Sequence, residues 1–330
     1  MRKMEFMISL GPLLLESPFI LAPMAGITDS PFRRMMKRRK AAMVVSELIS
    51  ATGVHYTCKH TLEMFDFHTE EHPVGIQLFG ADCDYLCKAA QHAEEKGADF
   101  IDLNLGCSVP KVVKKGGGAA LACNIDKLAH ILSSLVKAVH IPVSIKIRTG
   151  WDETRRNAID IVKLAADAGI AWVAVHGRTS VQAYTGVADW DFIKEIKDKS
   201  PLPIIGNGDI TTAEKAMQRL KESGVDAVMI GRACAHNPFI FEQSFHLWQG
   251  ESYSPSMQDY LKLLQEHRVC IEEEYTPGRA LVFSKKFLCG YTSGFSGSRK
   301  FRDDAFHTED MDLLWKNAFE FFESRSWENR

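Results

Sequence analysis

Short apolar runs rich in Val and Ile recur along the first two thirds of the chain. They cover residues 19–22, 43–46, 74–79, 100–103, 143–147, 172–175, 202–205 and 227–230. Their apolar character is nearly continuous rather than alternating, the pattern of strands buried on both faces of a parallel sheet. Between them, 84–96, 125–139, 154–168 and 213–223 carry apolar residues at helical spacing. Gly97, Gly169 and Gly224 follow three of these segments, where a left-handed residue ends a helix. Repeated strand–helix units over about 240 residues predict an α/β chain folded as a closed (β/α)8 TIM barrel, in preference to an open doubly wound sheet.

From about residue 254 the period changes. Segments 257–274 and 310–324 read as helices, no further apolar strand appears, and Gly294-Phe-Ser-Gly297 marks a loop. This predicts a small all-α domain appended to the barrel, dividing the chain at 1–243 and 244–330.

Composition narrows the class without naming a function. With 45% hydrophobic and 25% charged residues, the 330-residue chain is an ordinary globular protein. A net charge of −2 excludes a globally basic nucleic-acid coat but permits a local basic face. Eight cysteines without C-x-x-C pairs read as reduced cytosolic thiols, with neither a disulfide framework nor a metal site. The apolar stretch 6–15 after Met1-Arg-Lys imitates a secretion signal, but Glu5, Gly11, Pro12 and Glu16 interrupt or bound it. No segment reaches the roughly 18 apolar residues of a membrane span. The expectation is a cytoplasmic protein without membrane contact; its oligomeric state is left open, a monomer included.

In such a barrel, functional groups gather where the strands end. Ala22-Pro23-Met24-Ala25-Gly26 follows the first run, either as a plain turn or as close backbone approach to a flat ligand. Gln77, within the third strand, either faces the surface or pairs with the edge of a heterocycle. Lys146 and Arg148 share a pleat direction in the fifth, and a lysine inside an apolar strand needs a partner. His176 ends the sixth, ahead of Gly177-Arg178-Thr179. Asn207-Gly208-Asp209 and Gly231-Arg232 follow the last two, where such barrels hold phosphate. A phosphate at one side of the mouth and a Gln–Lys pair at its centre suit FMN. Cys107 lies just past the fourth strand in Asn104-Leu-Gly-Cys107, within a polar, cationic, glycine-rich loop that carries Lys111, Lys114 and Lys115. Most cysteines are inert small hydrophobes. A neutral thiol in this setting can act as a general acid.

These motifs, in order and spacing from about residue 21 to 241, resemble the tRNA-dihydrouridine synthases. The resemblance implies an FMN-binding barrel with a C-terminal helical RNA-binding domain. It implies reduction of the C5–C6 double bond of uridines in tRNA, with NADPH or NADH reducing the flavin, hydride passing to C6 and Cys107 protonating C5. Carried over by motif, Pro23, Met24, Ala25, Gln77, Lys146, His176, Asn207, Gly208, Asp209, Gly231 and Arg232 hold FMN, while Asn104 and Arg178 seat the substrate. Ser108 stands where the family usually has proline, and the family's basic Arg-Lys-His segment appears as Ser284-Lys285-Lys286. Three basic runs are candidates for RNA contact: Arg33 to Lys40, Lys111 to Lys115, and Lys285, Lys286, Arg299, Lys300 and Arg302. A flavin-dependent dehydrogenase of small pyrimidines, dihydroorotate-type, and a non-catalytic FMN-containing RNA-binding protein are the alternatives.

Overall fold

All eight apolar runs become parallel strands in the computed structural model, which describes residues 7–324. A short antiparallel hairpin, β1 (Ile8–Leu10) and β2 (Leu13–Leu15), comes first. Then follow β3 (Phe19–Leu21), β4 (Val44–Ser50), β5 (Val74–Phe79), β6 (Phe100–Asn104), β7 (Val143–Arg148), β8 (Val173–His176), β9 (Ile204–Asn207) and β10 (Ala227–Ile230). Each pairs in parallel with its neighbour in chain order, and β10 pairs with β3. A bridge between Ile20 and Met43, with the Leu21 amide donating to the Met43 carbonyl at 3.0 Å, closes the ring. The result is the expected (β/α)8 barrel.

Barrel closure explains the apolar stretch that imitates a secretion signal. Leu10 and Leu15 pack with Ile20, Met43, Phe100, Trp172 and Met229 inside the ring. The hairpin therefore plugs the end of the barrel opposite the strand C-termini, and its apolar residues are core. Residues 1–6 lie outside the described part. Among the described residues no helix is long and apolar enough to cross a membrane.

The helix expected over 154–168 begins only at Ala158. Asp152 takes bonds from the Thr154 amide and hydroxyl and from Arg155, a local turn that competes with helix formation. In the tail, Met257–Glu274 and Met311–Glu323 form as anticipated. Two more helices, Pro277–Tyr291 and Ser298–His307, complete it. The first is buried by partners on several sides, so its apolar positions trace no single stripe. Helix Ile240–Trp248 spans residues 243 and 244, and an irregular stretch separates it from the tail helices.

Barrel and tail are locked together by the first basic run. Helix Ser30–Arg38 packs against Met257–Glu274, with Phe32 stacked on Phe287 at 5.0 Å. Arg34 bonds Glu70 and, at 2.8 Å, Glu273; Arg39 forms an ion pair with Glu266 at 2.8 Å. Arg33 is buried on the fully buried Glu71. Arg33, Arg34 and Arg39 of this run are therefore spent on internal pairs, while Arg38 and Lys40 stay exposed. The run's carboxylate partners stand far away in the chain, out of reach of any local reading. Gly290 permits the close approach, since a Cβ there would lie 2.3 Å from the Ala235 carbonyl oxygen.

Asp29 sits at this junction. It caps helix Ser30–Arg38 by accepting from the Phe32 amide, and it accepts from the Tyr275 hydroxyl at 2.9 Å. Burial pushes its carboxyl up from 3.8 to about 7, against the pull of those two bonds. The folded chain thus holds a proton that the unfolded chain has lost. Stability from this group is complete below about pH 4 and is lost as pH rises through 7. Asn at this position keeps the cap and removes the titration. Urea denaturation should show Asp29→Asn gaining on the parent between pH 4 and 8, by up to about 4 kcal/mol in all at 1.4 kcal/mol per pKa unit. A difference that stays flat with pH would contradict the assignment.

Candidate active site

The C-terminal ends of the barrel strands surround a cavity of about 780 Å³. Its wall brings together Pro23, Met24 and Ala25 after β3, Gln77 from β5, Asn104 from β6 and Cys107 just beyond it. Lys146 from β7, His176 from β8, Asn207, Gly208 and Asp209 from β9, and Gly231 and Arg232 after β10 complete the set. A register shift in β4 between Val45 and Leu48 accompanies the turn of Leu48 into the mouth. The neighbouring Glu47 accepts from the Gly26 amide and so anchors the Pro23–Ala25 turn.

A chain of side-chain amides ties the centre of the cavity to the cysteine loop. It starts at Asp102, buried in the barrel wall, which accepts from Ser144 Oγ at 2.7 Å and from Gln77 Nε2 at 2.6 Å. Because Asp102 accepts, Gln77 must turn its oxygen the other way, where it takes a bond from Asn104 Nδ2 at 3.0 Å. Asn104 Oδ1 in turn accepts from the amides of Cys107 (2.9 Å) and Gly106 (3.2 Å). On its other side, the Cys107 carbonyl accepts from the Ala119 amide at 3.0 Å. The half-buried Cys107 therefore stands on a braced backbone, where the glycine-rich sequence suggests flexibility. Gly118 makes this bracing possible: it has φ +58°, and a Cβ there would fall 2.5 Å from the Cys107 carbonyl oxygen.

The adjoining wall, from β7 onward, is cationic. Lys146 Nζ donates to Asn207 Oδ1 at 3.1 Å, and Asn207 is held by its own bond to the Met229 carbonyl. Burial, and then the nearby Arg148, lower the Lys146 ammonium to about 8, with Asp102 opposing. The same burial, with Lys146, Arg148, Arg178 and Arg232 around it, keeps His176 neutral. An ammonium has three protons to donate, and one acceptor is shown for Lys146. Arg232 is largely exposed, 3.8 Å from Asp209. These unspent donors, in a cavity large enough for a flat ring system, fit an anionic heterocycle with a phosphate such as FMN.

Arg178 is placed differently from the rest. It lies behind the wall, 3% exposed, donating to the carbonyls of Thr185 (3.0 Å) and Gly186 (2.8 Å) and to Asp209 (2.8 Å). Arg148 has a parallel task, tying the Gly106 carbonyl to those of Thr179 and Ala183. Between the two arginines the 179–186 loop presents Tyr184 to the cavity, with Arg232 over its ring at 4.6 Å. Tyr184 escapes the sequence reading because a single aromatic in a connecting loop carries no periodicity. Only its nearness to His176 in the chain hints at the site.

A profile described as Dihydrouridine synthase (Dus) matches residues 20–324, barrel and tail together. The chain belongs to the dihydrouridine synthase family. It is 37% identical over 320 residues to tRNA-dihydrouridine synthase B of Pseudomonas aeruginosa, covering 96% of each chain. Identity to the probable tRNA-dihydrouridine synthase of Rickettsia bellii is 38%, over 96% of this chain and 98% of that one. For tRNA-dihydrouridine synthase B of Xanthomonas campestris it is 39% over 297 residues, 89% of this chain and 90% of the relative. Among solved structures, histamine dehydrogenase from Rhizobium sp. 4-9 shares the fold alone, at a TM-score of 0.57 and 13% identity. That match covers 81% of this chain and 50% of the longer one.

In this dihydrouridine synthase family member, the bracing of Cys107 is open to a direct test. Gly118→Ala forces its Cβ against the Cys107 carbonyl and displaces the thiol without touching the cationic wall. Turnover should fall by about tenfold or more while the bound flavin content stays that of the parent. Unchanged turnover would show that the loop position is uncritical.

Proposed function

We propose that this chain reduces the C5–C6 double bond of uridines in tRNA, using FMN and a nicotinamide hydride donor, with Cys107 as the general acid. One observation carries the reading: a single cavity is lined by Cys107 and Asn104 together with the cations Lys146 and Arg232 and the neutral His176. The relatives' names supply the tRNA. When bound, FMN supplies the hydride. Gly208, Gly231 and Arg232 would take its phosphate, Lys146 and Gln77 its polar ring edge, and Pro23 to Ala25 its flank. Lys146 favours negative charge at the position it faces, and neutral His176 offers a hydrogen bond without adding a second buried cation there.

The uracil then lies against the Cys107 wall. Asn104 has one amide proton left after its bond to Gln77, available to a uracil carbonyl. The Cys107 thiol donates its proton to C5, and the braced backbone holds the sulfur where that carbon arrives. Arg178 acts through Asp209 and the 179–186 loop, positioning groups that touch the ligands. In this reading, residues 1–243 bind the cofactor and 244–330 guide the RNA. In the third basic run, Lys285 donates to the Phe306 carbonyl and Lys300 pairs with Asp304. Lys286 lies over the rings of Phe283 and Phe287.

Cys107→Ala should leave flavin content and the rate of flavin reduction by NADPH unchanged. Dihydrouridine formation should drop by about 10²- to 10⁴-fold, the range of a general acid. Mass spectrometry of the digested RNA measures the product. Parental rates from the alanine variant would overturn the assignment of the acid.

A further inference from the structure

Beside the cavity, an aromatic cluster lies on the barrel rim with no part in the chemistry above. Helix Ala51–His55 follows β4 and helix Cys83–Glu95 follows β5. Both start at the edge where Leu48 and Gln77 of those strands enter the cavity. The His55 ring stacks on Tyr85 at 3.7 Å and 15°, and Tyr56 meets it edge-on at 4.9 Å. Tyr56 is 68% exposed. The loop bearing Lys111, Lys114 and Lys115 is a direct neighbour: Cβ positions built at Gly116 and Gly117 come within 3.4 Å of Ala81 and Gly80, just ahead of the Tyr85 helix. Those three lysines are exposed, and among the described residues none of them forms an ion pair.

We propose that His55, Tyr56 and Tyr85, with the lysines of the 111–115 loop, form a platform that stacks an unpaired base of the RNA close to the uridine in the cavity. The inference rests on the RNA reading above. A uridine reaches the cavity only by leaving its own stack, which bares the face of an adjacent base. A wet aromatic face next to unpaired cations is the usual surface for single-stranded nucleic acid: rings take the bases and lysines the phosphates. Asp82 and Asp84 also border Tyr85, and the Asp82 carboxylate is occupied as the cap of its helix. This mixed-charge border, with only the rings apolar, fits a base better than a protein epitope, which would need continuous apolar area.

The test uses the full-length flavoprotein and an unmodified tRNA transcript, with affinity followed by fluorescence anisotropy across a salt series. Tyr56→Ala and Tyr85→Ala should each weaken binding by about tenfold with the salt slope unchanged, while Tyr56→Phe and Tyr85→Phe bind like the parent. Replacing Lys114 and Lys115 by Ala should lower that slope by about one to two. Alanine variants that bind as tightly as the parent, or phenylalanine variants that fail equally, would overturn the platform and leave the enzyme reading intact. So would an alanine variant whose sole defect is lost self-association in sedimentation, since the surface would then be a protein contact. A parent that converts uridine nucleoside but never binds the transcript would refute the RNA reading and the platform with it.

Discussion

A buried carboxylate must have its hydrogen bonds met, and Asp102 turns that requirement into an active-site scaffold. Leaving such a group unpaired in the barrel wall would cost about 1–3 kcal/mol or more. Ser144 and Gln77 satisfy it, and in doing so Gln77 loses its freedom to flip. The polarity then passes through Asn104 to the amide of Cys107. One acceptor inside the wall thus decides how two amides point and where a sulfur stands. Burial still raises the Asp102 carboxyl, so its bonds offset desolvation without cancelling it.

The same economy joins the two parts of the chain. Charges on the barrel helix Ser30–Arg38 and just after it are matched by Glu70 and Glu71 within the barrel and by Glu266 and Glu273 of the tail, and the tail docks through the latter two. Asp29 begins that helix, and the Met24–Thr28 turn just before it is held by the Thr28 hydroxyl. The junction is therefore a few residues from Pro23 to Ala25 on the cavity wall, so tail docking and the cofactor-facing turn share one support.

Much of this was legible in the chain. Continuous apolar runs mark strands wherever both faces are buried, which is why all eight were found. The site motifs stand at strand ends, where the topology leaves no choice about which way they face. Elements whose logic is non-local were not legible. The 8–15 hairpin is apolar because it plugs a ring that exists only after folding. Arg33 and Arg34 in helix Ser30–Arg38 read as surface until their distant carboxylates are seen. Arg178 and Arg148 carry motif positions, yet their guanidiniums are spent on loop carbonyls, a division of labour invisible in residue type. The loop that carries Tyr184 is held in part by those two grips.

The account comes down to geometry: the two hydrogens added to uridine arrive on opposite faces of the base, one from the flavin and one from the Cys107 thiol. The most direct measurement is their relative configuration. Turnover in D2O with a deuterated nicotinamide donor makes both added atoms deuterium, and proton couplings in the isolated dihydrouridine show which faces they occupy. The account predicts trans addition across C5 and C6, lost together with turnover in Cys107→Ala. Cis addition would place both hydrogens on one face and contradict it.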